Sequence, residues 1–473
     1  MLFSSTTFIL YFLPISLVIY YVFLRKWRVA QNVFLTFASL FFYAWGEPKF
    51  VLIMLLSIIM NWLFGLSVNK FKITQNKLGV SFILAATVVF NLSILFVFKY
   101  LTFTGSIIAN LFSLSIEIPK ITLPIGISFF TFQAMSYVLD VYRDNGEVQK
   151  NPLNVGLYIS FFPQLIAGPI VRYETVAYEI KHRKETADDF FDGFSRFIIG
   201  MAKKVLLANS FSIFAVAAFN NIEELTILGG WFGALCYTFQ IFFDFGGYSD
   251  MAIGLGKMFG FHFLENFNYP YISLSISEFW RRWHISLGTW FRDYLYFPLG
   301  GSRVKKPRLI FNLFVVWFAT GVWHGANWTF IIWGLMYFVL LVIEKLTGLD
   351  RKKSKSLGNV FRWIYTMLFV ILGWVIFRAD TLSDAWQYIG VMFGVNASSI
   401  SDATVLQNVL NCWIYLIFAI LFSTPIALKV KEKYNCDKPV LQILKSVIII
   451  VLFVLSFASV TSSSHNPFIY FNF

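Results

Sequence analysis

Two histidines lie in aromatic-rich stretches of a chain that is otherwise strongly apolar. His284 occurs in S-I-S-E-F-W-R-R-W-H-I-S-L-G-T-W-F-R-D-Y, and His324 occurs in G-V-W-H-G-A-N-W. An imidazole at or near membrane depth costs free energy unless it has a polar partner or a chemical role. A neutral imidazole can take the proton from a hydroxyl that attacks an activated acyl group, a contribution of about 10² to 10⁴ in rate. We therefore interpret His324 as a candidate general base.

Each histidine also has a structural interpretation. Small residues remove side chains from the surroundings of His324: Gly321, Gly325 and Ala326. Close packing of another helix and access for a thin ligand both account for them. Around His284, a structural hydrogen-bonded network with Glu278 and Arg281 is the alternative to a catalytic role. The remaining histidines are interpreted as solvated or locally bonded: His182, His262 and His465.

The composition places these histidines in a membrane protein. The chain is 58% hydrophobic and only 13% charged, and its mean hydropathy is +0.68. Soluble domains carry about twice that charged fraction, so we predict an all-α, polytopic integral membrane protein. The net charge of +13 lies mostly between apolar segments, as in cytoplasmic loops beside an anionic membrane surface, and does not indicate nucleic-acid binding.

The apolar runs predict about ten to twelve spans plus one or two re-entrant or interfacial helices. The first run, residues 5–24, is followed by basic residues and is interpreted as a retained span rather than a signal peptide. Basic clusters after alternate spans place both termini outside the cytoplasm and His324 in the outer half of the membrane. We predict one integral domain over residues 1–473, made of three parts: N-terminal spans (1–120), a core with both histidines (121–347) and C-terminal spans (348–473).

Local signals predict the elements around the two histidines. Ser275 and Glu278 have the spacing of a helix-capping box, and Glu278 precedes Arg282 by four residues, which favours an ion pair along a helix. We predict one helix that starts at Ser275, carries aromatic residues up to Tyr294, lies in or near the membrane interface and is ended by Pro298, Gly300 and Gly301. A span over residues 309–322 then leads to His324, and a second span follows it.

Two aspartates interrupt a long apolar run over residues 229–259. Asp244 and Asp250 are costly to bury in such a helix, so they mark either a break near Gly246 and Gly247 or a polar cavity. The cavity alternative is compatible with a transporter or channel in which the aspartates and histidines line a permeation path.

Several classes of enzyme lack their signatures in this sequence. No P-loop, H-E-x-x-H zinc motif or G-x-S-x-G elbow occurs. The cysteines lie far apart and have no metal-ligand spacing: Cys236, Cys412 and Cys436. We expect no metal and no tightly bound cofactor.

Several long motifs in one order resemble a known family. They are M-L-F-S-S-T-T-F at the start, A-W-G-E-P, L-P-I-G-I-S-F-F-T-F-Q, F-F-P-Q-L-I-A-G-P-I, F-D-F-G-G-Y-S-D and the two histidine stretches. Together they resemble the membrane-bound O-acyltransferase (MBOAT) family, in particular its bacterial branch of alginate O-acetylation proteins, with D-alanine transfer proteins more distant. That branch usually has serine at the position of Gly246.

The resemblance implies a ring of helices around a thin centre, with a tunnel that reaches a histidine. The family's invariant histidine falls on His324 and its second motif histidine on His284. Candidate tunnel-lining or supporting residues within the motifs are Gln133, Asp244, Tyr248, Trp280, Arg281, Trp323 and Asn327.

The resemblance also implies the reaction and its partners. The donor is acetyl-CoA or another acyl thioester in the cytoplasm, and the acceptor is an extracytoplasmic polysaccharide. An SGNH-type acetyltransferase on the outer side of the bacterial plasma membrane is the expected partner, because this sequence has no serine-esterase motif. D-alanyl transfer to teichoic acid from a carrier protein is the alternative within the family.

Overall fold

The computed structural model describes residues 1–115, 118–350, 356–426, 428–429, 439–462 and 469. Within these residues every regular element is helical, which confirms the predicted all-α fold. The main helices are α1 (Phe8–Phe23), α2 (Arg28–Gly46), α3 (Val51–Ile73), α4 (Lys77–Leu111), α5 (Ile127–Tyr142), α6 (Pro152–Ser160), α7 (Tyr173–Val176), α8 (Glu179–His182), α9 (Ala187–Asn220), α10 (Ile227–Met258), α11 (Ile276–Arg282), α12 (Ile285–Phe291), α13 (Lys306–His324), α14 (Trp328–Thr347), α15 (Ser356–Arg378), α16 (Leu382–Met392), α17 (Ala403–Phe422) and α18 (Pro439–Ser462). The expectations for the basic cluster at 351–355, for Cys436 and for His465 lie outside the described residues.

The protein is a multi-pass membrane protein. Among the described residues, seven helices are long and apolar enough to cross a bilayer: α3, α4, α9, α14, α15, α17 and α18. Helix α1 is apolar but shorter. Large hydrophobic side chains on α17 and α18 are mostly exposed, as expected for helices that face lipid.

The chain divides into two compact units. The first comprises Met1–Phe197 and Tyr248–Leu264, and the second comprises Ile198–Gly247 and Glu265–Phe473. Helices α9 and α10 contribute residues to both units. Both motif histidines belong to the second unit.

A buried polar cluster stabilises the first unit. The Arg183 guanidinium donates from Nε to the Tyr20 hydroxyl over 3.0 Å and from Nη1 to Asn32 Oδ1 over 2.7 Å. Glu185 accepts a hydrogen bond from Arg28 Nη2 over 3.0 Å. These bonds compensate the burial of the Arg183 guanidinium, which would otherwise be very unfavourable, while Arg28 is only half-buried.

Helices α9 and α10 pack closely through glycines within the first unit. A Cβ atom added to Gly193 would lie 2.5 Å from the Gly254 carbonyl oxygen, so no larger residue fits without a shift. Next to this contact, Arg196 Nε and Nη2 donate to Asp250 Oδ1 over 3.0 and 2.8 Å. Asp250 therefore forms an ion pair with the neighbouring helix.

The same arrangement recurs within the second unit. A Cβ atom on Gly247 would lie 2.6 Å from the Gly200 carbonyl oxygen. One turn away, Lys204 Nζ lies 3.0 Å from Asp244 Oδ1, and both side chains are 2% exposed. Helix α10 continues without interruption through this region, so the predicted break near Gly246 and Gly247 is wrong. The glycine at 247 permits close packing instead.

The helix predicted over residues 275–294 is interrupted. Helix α11 ends at Arg282 and α12 begins at Ile285. Between them His284 has φ of +46° and ψ of +53°, the left-handed conformation that non-glycine residues rarely adopt. The prediction of a single helix was wrong because local propensity gives no signal for this left-handed residue. The break places the imidazole of His284 between α11 and α12.

Candidate active site

His324 lies at the C-terminal end of α13. Pro307 stands in the first turn of this helix, where its missing N–H costs no hydrogen bond. After His324 the chain turns, and α14 begins with Asn327 as its N-cap, whose side chain accepts from the Thr329 N–H over 3.2 Å. Asn327 Nδ2 also donates to the Asp380 carbonyl oxygen over 2.8 Å. Asn327, a predicted tunnel residue, therefore fixes the turn that follows His324.

Glycines bring α13 and α14 into direct backbone contact beside His324. A Cβ atom on Gly321 would lie 2.6 Å from the Phe330 carbonyl oxygen, and one on Gly334 would lie 2.5 Å from the Trp317 carbonyl oxygen. Gly325 is similarly covered by the Phe330 ring. Of the two interpretations of the small residues, the structure supports helix packing at Gly321 and Gly325.

The His324 imidazole is 6% exposed and surrounded by aromatic rings. Its ring centroid lies 5.0 Å from that of Trp323, 5.0 Å from that of Trp333 and 5.1 Å from that of Phe377, each nearly perpendicular to it. These rings exclude water and restrict the imidazole to few orientations. A side chain enclosed in this way is shielded from bulk water.

His284 has polar partners different from those predicted. Its Nδ1 atom lies 3.2 Å from Asn266 Oδ1 and 3.4 Å from Ser286 Oγ. The Phe245 ring packs edge-on against the imidazole at 4.7 Å between centroids. Burial lowers the pKa of His284 to about 3, so this imidazole is neutral near pH 7.

Glu278 and Arg281, the residues proposed for a structural network around His284, have other surroundings in the structure. Glu278 forms an ion pair with Arg282 at 2.9 Å, which confirms the predicted i,i+4 pair. Arg281 is exposed. The predicted network of His284 with Glu278 and Arg281 is therefore wrong.

Trp323 connects the two histidines. Its ring centroid lies 6.0 Å from that of His284 and 5.0 Å from that of His324. The indole is 4% exposed. The structure thus brings both predicted histidines and Trp323 into one aromatic site within the second unit.

Trp280 belongs to the aromatic layer beneath this site. Its ring contacts those of Trp317, Tyr337 and Trp333 at 4.9, 4.8 and 5.3 Å between centroids. Trp333 in turn contacts His324. Trp280 is therefore placed to support the orientation of His324 through Trp333.

Glu344 anchors α11 and was not identified from the sequence. Its carboxylate is fully buried in α14 and accepts the backbone N–H groups of Ile276 and Ser277 over 2.6 and 2.8 Å. Ser275 Oγ accepts the Glu278 N–H over 3.0 Å, which is half of the predicted capping box, while the Glu278 carboxylate accepts the Leu274 N–H over 3.0 Å. The signal for Glu344 was available, because an acidic residue within an apolar span indicates a structural or functional partner.

Asp244 is held by two groups of the second unit. Lys204 lies 3.0 Å from Oδ1, and the Ile469 N–H donates to Oδ2 over 2.8 Å. Lys204 Nζ also donates to Asn209 Oδ1 over 2.9 Å. This arrangement gives Asp244 a structural role in pairing α9 with α10.

Two further candidates belong to the first unit. Gln133 is fully buried on α5. The Tyr248 hydroxyl donates to the Leu165 carbonyl oxygen over 3.2 Å, and its ring stacks on Phe3 at 4.6 Å. Their proposed part in a substrate tunnel stays a prediction.

The described histidines outside the site have local partners. His262 Nδ1 lies 2.7 Å from Glu179 Oε1, and its Nε2 lies 3.4 Å from Asp189 Oδ1. Partial burial opposes the charged form, but these two carboxylates outweigh it and raise the pKa of His262. His182 is exposed and stacks on Tyr178. Within the described residues, no group of three or more His, Cys, Asp or Glu side chains could hold a metal ion.

The fold and the paired histidine motifs define a class of membrane enzyme. A family model for MBOAT, the membrane-bound O-acyltransferase family, matches residues 130–379, a range that contains both histidines. The chain belongs to this family and is an O-acyltransferase, which confirms the resemblance of its motifs.

Two curated relatives resemble the chain over its full length, and a third resembles about half of it. A probable alginate O-acetylase AlgI of Pseudomonas putida is 39% identical over 100% of both chains. A peptidoglycan O-acetyltransferase of Helicobacter pylori is 32% identical over 100% of this chain and 98% of the relative. A teichoic acid D-alanyltransferase of Bacillus subtilis is 33% identical, but over only 54% of this chain and 68% of the relative.

Proposed function

We propose that this enzyme moves an acetyl group from a cytoplasmic thioester donor across the plasma membrane for the O-acetylation of an extracytoplasmic polysaccharide. The observation that carries the proposal is the full-length similarity to relatives named as acetylases of alginate and of peptidoglycan. The similarity to the D-alanyltransferase covers little more than half of the chain. Acetyl is therefore the favoured acyl group.

His324 is the general base in this proposal. Its neutral imidazole accepts the proton of an acceptor hydroxyl while the hydroxyl oxygen attacks the thioester carbonyl carbon. The C–S bond then breaks, and the imidazolium returns the proton to the departing thiolate. The aromatic enclosure by Trp323, Trp333 and Phe377 supports this role because it excludes bulk water, which would hydrolyse the thioester.

The orientation of the chain follows from its charges. Basic residues from Arg303 to Arg308 lie just before α13 and in its first turn, and we place them in the cytoplasm. His324, at the other end of α13, then lies toward the outer side, and both termini are extracytoplasmic. Acetyl-CoA is the proposed donor, bound as a substrate, and an SGNH-type transferase on the outer side is the proposed acceptor of the acetyl group.

Replacement of His324 tests the proposal. The variant H324A should abolish acetylation of the surface polymer while the protein stays folded in the membrane. His182 is an exposed histidine and provides the matched control, since H182A should retain wild-type acetylation. Normal acetylation by H324A would refute the role of His324.

D-alanyl transfer is the second candidate, supported by the similarity to the teichoic acid enzyme. Mass spectrometry of the modified polymer separates the two reactions, because acetyl and D-alanyl groups add different masses and only D-alanyl adds an amine. If D-alanyl esters that depend on this chain are found on the polymer, D-alanyl transfer replaces acetyl transfer as the proposed reaction.

A further inference from the structure

Asn266 forms hydrogen bonds to and around His284 through both its backbone and its side chain. This residue lies in the segment between α10 and α11 and is 1% exposed. Its carbonyl oxygen accepts the Ile285 N–H over 2.9 Å. Its Oδ1 atom lies 3.2 Å from His284 Nδ1 and also receives the N–H and the hydroxyl of Ser286, over 3.2 and 2.9 Å.

The Ser286 N–H identifies the chemical nature of the atom that faces His284. A backbone N–H can only donate, so its partner on the Asn266 side chain must be the oxygen and not the amide nitrogen. An oxygen of this kind can only accept. Since the Ser286 hydroxyl donates to this same oxygen, the contact of Nδ1 with Asn266 Oδ1 is a hydrogen bond only if Nδ1 carries the proton, and the lone pair of the neutral ring then resides on Nε2.

The other contacts of His284 keep this arrangement fixed. Phe245 packs against one side of the ring, and Trp323 lies between His284 and His324. The left-handed backbone of His284 directs the side chain toward Asn266 rather than along α11. These protein contacts set the orientation of the imidazole.

We propose that Asn266 is a positioning residue for acyl transfer: it holds His284 in the Nδ1-protonated tautomer and so makes Nε2 the atom that His284 offers to the reacting groups. The inference rests on the proposed function because it assigns His284 to the same site as His324. Asn266 itself does not contact the reactants in this proposal.

Nitrogen-15 NMR of the histidine-labelled full chain in lipid nanodiscs tests the tautomer directly. The H284Q variant identifies the His284 signals. We expect Nδ1 to be protonated in the wild type and in N266D, which retains an acceptor oxygen. In N266L the proton should shift at least partly to Nε2.

Turnover measurements test the positioning role. N266L should lower kcat by at least about tenfold, the low end of what loss of an imidazole-orienting partner costs in other enzymes, while KM changes little. N266D should recover more activity than N266L. Asn268 provides the matched control in the same segment, because its side chain is exposed and N268L should leave kcat unchanged.

Two results would overturn the inference. One is a wild-type His284 protonated on Nε2, and the other is a folded N266L variant with kcat within about twofold of wild type. The NMR experiment needs no substrate, so it separates this inference from the proposed function. Absence of acyl transfer in a wild-type chain with the expected tautomer would refute the function but support the Asn266–His284 hydrogen bond.

Discussion

Removal of the Lys204 charge should destabilise the protein strongly. Lys204 Nζ lies 3.0 Å from Asp244 Oδ1, and both side chains are 2% exposed. At this distance the Coulomb attraction is about 5.5 kcal/mol for an effective dielectric constant of about 20. The variant K204M leaves the Asp244 carboxylate buried without its counter-charge, and such losses amount to about 3–5 kcal/mol.

The free energy of unfolding in mixed micelles, measured by titration with a denaturing detergent, provides the assay. The double variant K204M/D244N should regain more than half of the loss, because no isolated charge remains buried. Arg196 and Asp250 form a matched but more exposed pair, with side chains 25% and 16% exposed, so R196M should cost less. A loss below about 1 kcal/mol for K204M, or additive losses in the double variant, would show that the buried ion pair of Lys204 with Asp244 does not stabilise the fold.

Four further substitutions have defined outcomes. G321A should destabilise the protein by about 1–3 kcal/mol and lower its activity, because the added Cβ atom would lie 2.6 Å from a backbone oxygen. G288A is the control and should be tolerated, because its added Cβ atom would have its nearest neighbour at 3.8 Å. Equal thermal stability of the two variants would contradict the close-packing role of Gly321. E344Q should lower stability by about 1–3 kcal/mol and also lower activity, since the two backbone N–H groups at the start of α11 bond different oxygens and the amide nitrogen that replaces one of them cannot accept. An unchanged unfolding midpoint would exclude the anchoring role. His284 and His262 should affect acid stability with opposite signs. The pKa of His284 is lowered to about 3, so its contribution to the free energy of unfolding is present above about pH 6.5 and is lost on acidification. The loss is at most about 1.4 kcal/mol per pH unit. H284Q should therefore lose less stability than the wild type as the pH falls. The raised pKa of His262 means that its contribution is present below about pH 6.5 and disappears as the pH rises through the folded pKa, so H262Q should reduce stability at acidic but not at alkaline pH.

Several features of the site could be predicted from the sequence because they depend on local patterns. Hydropathy predicted α13 and α14 and placed His324 where the first of them ends. Spacing predicted the Ser275 cap and the ion pair of Glu278 with Arg282. These signals act within one helix, where chain neighbours determine the contact.

The partners of His284 could not be predicted in this way. Asn266 lies 18 positions before His284, and Glu344 lies 68 positions after Ile276, whose N–H it accepts. Such contacts depend on tertiary packing, as does the left-handed conformation of His284. Gly247 was interpreted as a possible break in α10, but its role became evident only from the Gly200 carbonyl oxygen that it faces.

The role of His324 as the base of an acetyl transfer across the membrane can be tested with labelled acetyl-CoA. Membranes that contain the wild-type chain, H324A or H182A are supplied with the label from the cytoplasmic side, and transfer to a surface glycan or to a partner protein is measured. We predict label on the outer acceptor with the wild type and H182A, and none above background with H324A, while all three proteins are present in equal amounts. Transfer by H324A at the wild-type rate would show that His324 is not the base of this reaction.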